Sequence, residues 1–375
     1  MSSIESLVEA IHASPVRVVL AVAGGGARAI AHLLEVPGAS RTVLEAVVPY
    51  APSAMCQWLG GPPEQFCSEA TARAMAMAGW LRARALDPAG PVAGVSCTAS
   101  LATDRPKRGS HRAAVALQTS SRTAVYWVEL VKGRRSRADE ETLVATLVLN
   151  AVAEACGLSQ RRPAGLLADE RLQTRSCTAC REWQELMLGL RRAIRQRGTQ
   201  SEPQPVPPAA VYPGAFNPLH RGHLRILELA ERILGAAVEP EISIFNVDKP
   251  PLDYVEMACR LEQFGPGRPV WLTRAATFEE KSHLFPGATF VVGVDTLRRI
   301  AEPRYYGGDA GACQKAIERI AGCGCRFLVF GRAEQGRFIS LEELDLPPLL
   351  RAICCGVPEA EFREDISSTE LRRRR

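Results

Sequence analysis

Two histidines three residues apart, His220 and His223, stand in the run Gly214-Ala215-Phe216-Asn217-Pro218-Leu219-His220-Arg221-Gly222-His223. Paired imidazoles in a glycine-containing turn suit the transfer of a phosphoryl or nucleotidyl group. That chemistry needs two anions held in line and N–H donors aimed at the charge growing on the phosphorus oxygens. It needs no covalent bond to the protein. Gly214 lets the backbone approach a ligand closely, and Gly222 lets the turn tighten ahead of a helix. Other residues of reactive type are less well placed. Cys177-Thr178-Ala179-Cys180 has half the spacing of a structural zinc site, but no second CxxC accompanies it, so these read as ordinary thiols and no metal site is expected. Ser96 ends a strand-like run, where a hydroxyl serves more often as a turn or cap group than as a nucleophile. Gly24, Gly25 and Gly26 form a cluster of the kind that cradles phosphate, a weak signal by itself.

The elements around these residues follow from periodicity. Residues 16–22, VRVVLAV, lead into the three glycines and a helix ending at Pro37, which is strand, turn, helix. Strands are expected at 90–96, 113–119 and 123–130, then an amphipathic helix over 139–156 that Gly157 ends. The run REWQELMLGLRRAIRQRG reads as one helix, and the proline-rich SEPQPVPPAA after it as a linker. Beyond the linker come a strand at 210–212, the histidine turn, a helix at 224–234, and strands at 241–247, 288–293 and 326–330. The expected organisation is a first domain over 1–160, a helical connector and Pro-rich linker over 161–209, and a second domain over 210–375. The class is α/β. The second domain is expected to be a Rossmann-like parallel sheet with helices on both faces, binding ligands beyond the carboxyl ends of its strands.

A chain of 375 residues exceeds one ordinary core. With 46% apolar and 23% charged residues it should fold as a globular protein. The net charge of +5, from 46 basic and 41 acidic residues, is too small and dispersed to suggest a nucleic-acid surface. It favours anionic metabolites. Twelve cysteines without a secreted-scaffold pattern, and a start (MSSIESLVEAIHAS) unlike a leader, lead us to expect the cytoplasm. No apolar run approaches the roughly 18 residues of a membrane span.

The segment GAFNPLHRGHLRILELAER resembles the HxGH signature of the nucleotidyltransferase superfamily, most closely the nicotinamide or nicotinate mononucleotide adenylyltransferases. Those enzymes carry Gly-Ser-Phe-x-Pro before the histidines, and Ala215 here replaces the serine. Near the other end, Ile366-Ser367-Ser368-Thr369-Glu370-Leu371-Arg372 resembles the ISSTxxR motif of the same group. The resemblance implies that His223 stabilises the transferring phosphoryl oxygens while His220 orients the phosphates. Gly214, Ala215, Phe216, Asn217 and Gly222 would shape the turn. Ser367, Ser368 and Thr369 would hold ATP phosphates at a capped helix start, with Arg372 adding a planar cation. By the same resemblance Lys249 would be the phosphate-contacting lysine, Lys281 a weaker candidate, and Gly293 with Asp295 the contact to the nucleotide's sugar or base. The implied reaction joins ATP, with Mg²⁺, to a phosphorylated small molecule, a pyridine mononucleotide, and releases pyrophosphate in NAD biosynthesis. The same histidine motif serves cytidylyltransferases and pantetheine-phosphate adenylyltransferases. A decayed regulatory nucleotide binder is the alternative of another class, which the intact histidines oppose.

Residues 16–158 are similar to the C-terminal domain of the competence-damage protein family, which includes nicotinamide mononucleotide deamidases. The residues carrying this are Ala31-His32-Leu33-Leu34-Glu35-Val36-Pro37-Gly38-Ala39-Ser40, Val47-Val48-Pro49-Tyr50 and Val92-Ala93-Gly94-Val95-Ser96. The family's serine nucleophile sits in a Glu-Ser-Cys-Thr-Gly-Gly turn, where this chain has Val22-Ala23-Gly24-Gly25-Gly26. Without a hydroxyl at Ala23 no acyl intermediate can form. The domain is expected to bind or assemble, and the family's self-association carries an expectation of a homo-oligomer.

Overall fold

The structure, a computed structural model, describes residues 3–105, 107–159, 165–202, 205–245, 251–334 and 337–363. The chain divides into two compact units, Met1–Cys180 with Asp248–Glu256, and Arg181–Val247 with Met257–Arg375. Both are α/β.

In the first unit α1 (Ser3–His12) precedes β1 (Arg17–Ala23), α2 (Arg28–Glu35), β2 (Val43–Val47), α3 (Pro52–Leu59) and α4 (Glu69–Leu86). There follow β3 (Val92–Ser100), β4 (His111–Gln118), β5 (Arg122–Leu130), α5 (Arg137–Ala155) and β6 (Gln173–Thr178). The sheet order is β2-β1-β3-β4-β5-β6. Its first three strands are parallel and the rest antiparallel. Successive β1 side chains point to opposite faces. Val18, Leu20 and Val22 join the core beneath α1, α2 and α5, while Ala21 and Ala23 join the cluster with Met55, Leu59 and Met75 on the other side. A sheet covered on both faces explains why these strands read as unbroken apolar runs. Gly94 in β3 shows how closely α4 lies on the sheet: a Cβ there would fall 2.0 Å from the Ala76 carbonyl oxygen and 2.3 Å from the Trp80 nitrogen.

The second unit starts with α6 (Arg181–Leu188), β7 (Ala193–Arg197) and β8 (Gln200–Ser201), then β9 (Ala210–Pro213), α7 (Arg221–Leu234) and β10 (Val238–Ser243). Next come α8 (Tyr254–Glu262), whose first three residues belong to the first unit, β11 (Pro269–Thr273), α9 (Phe278–Leu284), β12 (Thr289–Gly293) and α10 (Val294–Ile300). The rest are α11 (Ala310–Gly322), β13 (Arg326–Phe330), the hairpin β14 (Arg332–Glu334) and β15 (Arg337–Ile339), α12 (Pro348–Ala352) and β16 (Cys354–Val357). The main sheet runs β16-β13-β12-β9-β10-β11-β7-β8. From β16 to β11 all neighbours are parallel. Reading β9 as the first strand of this parallel set, the order is 3-2-1-4-5-6, that of doubly wound dinucleotide folds, and the direction of winding switches between β9 and β12. One face buries Val211, Phe290, Val292, Phe327 and Val329 with Phe285 and Leu297.

The run read as one connecting helix is two elements. Gly189 (φ +83°) ends α6, with Leu190 N–H donating to the Glu185 carbonyl and Gly189 N–H to that of Leu186. That Schellman closure stops the helix. The residues after it alternate instead, burying Ile194 and Gln196, and pair antiparallel with β11, Ile194 opposite Leu272. The supposed helical connector therefore supplies β6 to one sheet and β7 and β8 to the other. The second strand of this domain also lies earlier than expected, at Val238–Ser243.

Gly94→Ala should cost roughly 3 kcal/mol, because backbone atoms of α4 must retreat to admit the methyl group. Gly109→Ala, where an added Cβ meets nothing within 4 Å, should stay within about 0.5 kcal/mol. Chemical denaturation of the two variants measures the contrast.

Candidate functional site

β9 feeds the histidine turn at the point where the strand order switches. Gly214 N–H donates to the Glu241 carbonyl at 2.9 Å, so the β9–β10 ladder continues into the turn. The glycine is required, since a Cβ would sit 2.6 Å from Cζ of Phe216. Phe216 itself has φ +45°, a left-handed conformation unusual for an aromatic residue. Burial holds it there. The ring is 1% exposed and meets Tyr212, His223 and Phe264 edge-on, with centroids 5.3, 5.1 and 5.0 Å away. Arg260 on α8 and Gln263 just after it fix the rest of the turn. Arg260 Nη1 donates to the Ala215 carbonyl (3.0 Å). Gln263 donates from Nε2 to the Phe216 carbonyl (3.0 Å) and accepts at Oε1 from Leu219 N–H (2.7 Å). The sequence reading missed both residues, because their partners lie more than forty positions away and nothing local marks them.

At the start of α7, His220 is the N-cap and His223 the third helical residue. His223 Nδ1 accepts the His220 backbone N–H at 3.3 Å. That bond assigns the ring proton of a neutral His223 to Nε2, leaving a donor that faces away from the helix backbone. The rings stack, centroids 3.7 Å apart and planes 21° from parallel. Burial and, after it, the neighbouring His220 push the His223 pKa down to about 3. The site thus combines a neutral N–H donor, a second imidazole and the positive end of a helix. Such a set receives an anion. Gly222 is buried within this first turn, Ala215 is exposed and Asn217 half-buried.

The adjacent strand brings the other expected contact to the same edge. β12 pairs with β9 in parallel, Thr289 opposite Ala210 and Phe290 opposite Val211, so Gly293 at the end of β12 lies at the same edge of the sheet as the histidine turn. Among the described residues, an added Cβ on Gly293 would meet only the Phe330 carbonyl oxygen, at 4.0 Å. Asp295, in the first turn of α10, is held by Arg332 and lies 3.7 Å from Arg298. Lys281 is elsewhere. Its Nζ is 2.7 Å from both Glu241 carboxylate oxygens and 2.8 Å from the Ala275 carbonyl, and the residue is 4% exposed. All three ammonium protons are spent in the core, so it does not serve phosphate. Lys249, Ser367, Ser368, Thr369 and Arg372 lie outside the described residues. In the first unit Ser96 Oγ donates to the Ala72 carbonyl at 2.6 Å and is fully buried, a structural hydroxyl.

Residues 211–374 match the family model described as Cytidylyltransferase-like, and the C-terminal domain is a nucleotidyltransferase domain of this HxGH kind. Solved structures of competence-damage proteins also match part of the chain. The competence/damage inducible protein CihA from Agrobacterium tumefaciens is 19% identical, covering 41% of this chain and 94% of its own, with TM-score 0.32. A competence or damage-inducible protein from Enterobacter asburiae is 17% identical, covering 42% and 100%, with TM-score 0.33. A competence-damaged protein (CinA) superfamily member from Enterobacter cloacae is 20% identical, covering 42% and 94%, with TM-score 0.33. No curated protein matches the chain. Among the described residues no helix is long and apolar enough to cross a membrane.

An unfolded histidine titrates near 6.5 and folded His223 near 3, so between these values unfolding takes up a proton. Its contribution to stability is complete above about pH 6.5 and is lost progressively as pH falls towards 3. His223→Gln, which cannot charge, should flatten that acid limb in thermal melts. Imidazole NMR should find His223 neutral at pH 5.

Proposed function

We propose that the C-terminal domain transfers AMP from ATP to a pyridine mononucleotide, a step of NAD biosynthesis. An oxygen of the acceptor's 5′-phosphate attacks the α-phosphorus, the bond from that phosphorus to the β-phosphate's bridging oxygen breaks, and pyrophosphate leaves. The observation that carries this reading is the His220–His223 pair at the N-terminus of α7, at the switch between β9 and β12. His223, neutral and donating from Nε2, would bind the oxygens on which charge grows, and His220 would orient the phosphates. The lack of crowding at Gly293 among the described residues suits the nucleoside. The ISSTELR segment supports ATP and a pyridine acceptor by resemblance, with Ser367, Ser368, Thr369, Arg372 and Lys249 as proposed phosphate contacts.

Mg²⁺ would enter on the triphosphate. There it would be held by phosphate oxygens and water, as small hard cations usually are on nucleotides.

A cavity of about 410 Å³ beyond β10 and β11 supports an anionic aromatic acceptor. Phe245 and Arg274 follow those strands, the guanidinium carbon 4.1 Å from the ring centroid, and Arg192 stands exposed beside them. Neighbouring strands lie about 4.8 Å apart, so this cavity sits one to two strands from the histidines, the reach of a mononucleotide from phosphate to ring. Glu280 also lines the cavity and Arg274 Nη1 donates to the Leu186 and Met187 carbonyls, so Arg192 is the cation that favours the acid over the amide. Because the matching family is described as cytidylyltransferase-like, CTP in place of ATP is the second reading. For the N-terminal domain we propose binding or assembly without hydrolysis, since Ala23 offers no nucleophile.

The test is pyrophosphate release with Mg-ATP or Mg-CTP and, in parallel, nicotinate mononucleotide, nicotinamide mononucleotide and phosphopantetheine. We expect turnover with ATP and the acid mononucleotide, reduced about 10²- to 10³-fold in His223→Ala. Arg192→Gln should narrow the acid-to-amide ratio of kcat/KM. Turnover with CTP alone would replace the adenylyl reading by the second one.

A further inference from the structure

In the first unit β1 ends at Ala23 and the chain turns through Gly24, Gly25 and Gly26 into α2. Gly24 (φ +76°) and Gly26 (φ +88°) are left-handed, and a Cβ on Gly24 would lie 1.9 Å from the Ala99 carbonyl oxygen. The turn is pressed onto the end of β3. Backbone N–H groups after a parallel strand, at a helix N-terminus, are the place where α/β proteins hold an anion.

Here the anion belongs to the chain. Glu141, on α5, sets Oε2 3.0 Å from Gly26 N and Oε1 3.1 Å from Arg28 N. Each carboxylate oxygen takes one N–H, as two oxygens of a bound phosphate would. A cavity of about 520 Å³ opens in front, walled by Val22, Val48 and Tyr50 and by the side chains of Arg28, Arg137 and Glu141. Both guanidiniums are turned to neutral oxygens, Arg28 to the Ala138 carbonyl and Thr142 hydroxyl, Arg137 to the Ala102 and Gly24 carbonyls. Tyr50 and Val48 stay exposed at 67% and 51%.

We propose that Glu141 is the resident anion of this turn, and that it excludes phosphorylated ligands from the cavity in front of it. A phosphate could enter the turn only by displacing a carboxylate from two charge-assisted hydrogen bonds. One left beside it would face the carboxylate's charge at short range. The missing nucleophile at Ala23 and the occupied anion position act in the same direction. The domain neither hydrolyses a phosphorylated substrate nor competes for one with the histidine site. That exclusion stands on the first unit's own geometry and holds whatever acceptor the second unit uses.

Phosphate binding by the full-length chain tests this, with inorganic phosphate as the probe and calorimetry and thermal melts as readouts. The histidine site is present in every variant, so only differences from wild type count. Glu141→Ala should gain one phosphate site per chain, about tenfold tighter than any the wild type shows at this turn, and its melting temperature should rise with phosphate. Adding Arg137→Ala should remove the gain. Glu141→Ser, too short to reach either N–H, gives the same reading if the alanine variant folds poorly. Folded variants that bind no more phosphate than wild type would overturn the proposal. So would wild-type phosphate binding that Arg137→Ala alone abolishes.

Discussion

One hydrogen bond turns the start of α7 into a reagent. By accepting the His220 N–H, His223 Nδ1 fixes a tautomer, a ring plane and the direction of the remaining N–H together. The stacked His220 ring and the edge of Phe216 then confine the imidazole from both sides. Burial keeps it neutral, so it can donate without first losing a proton to solvent. The sheet serves this arrangement by ending β9 where the winding reverses, which leaves a crevice instead of a strand neighbour above the turn.

Beneath the crevice a second buried device holds the sheet. Glu241 on β10 accepts from Lys281 on α9 and from the Thr273 hydroxyl on β11, tying two strands and a helix around one carboxylate. A buried pair of this kind is weak evidence for stability, since desolvation of both ions offsets most of the attraction. Its value lies in position. Each group has one place where its charge is answered, and that place sets how α9 lies on the strands that end beside the proposed acceptor cavity.

The strand-turn-helix of the histidine site was readable in the sequence because its signals are local: an apolar run, glycines at a turn, histidines at helix spacing. The same holds for β13, found where its apolar run predicts, and for the helix that Gly157 closes. What escaped is non-local. β7 looked helical because its arginines favour helices, and only pairing with β11 makes it a strand. Lys281 looked like a phosphate ligand because its partner Glu241 is forty residues away. Arg260 and Gln263 gave no signal, since a polar face on a helix does not say which loop it will hold. In the first unit the glycine cluster was legible as an anion cradle, but not that a glutamate on α5 already fills it.

The left-handed Phe216 has a kinetic meaning. A loop that relied on its ligand for shape would have to fold around each arriving molecule, and capture would be slowed by that rearrangement. Here the aromatic ring is anchored in the core before any ligand arrives, and Arg260 and Gln263 hold the carbonyls of Ala215 and Phe216. The turn has no shape left to find. Encounter at this wall of the crevice is thus governed by diffusion and the field of nearby cations, and a ligand that leaves finds the same wall standing when it returns.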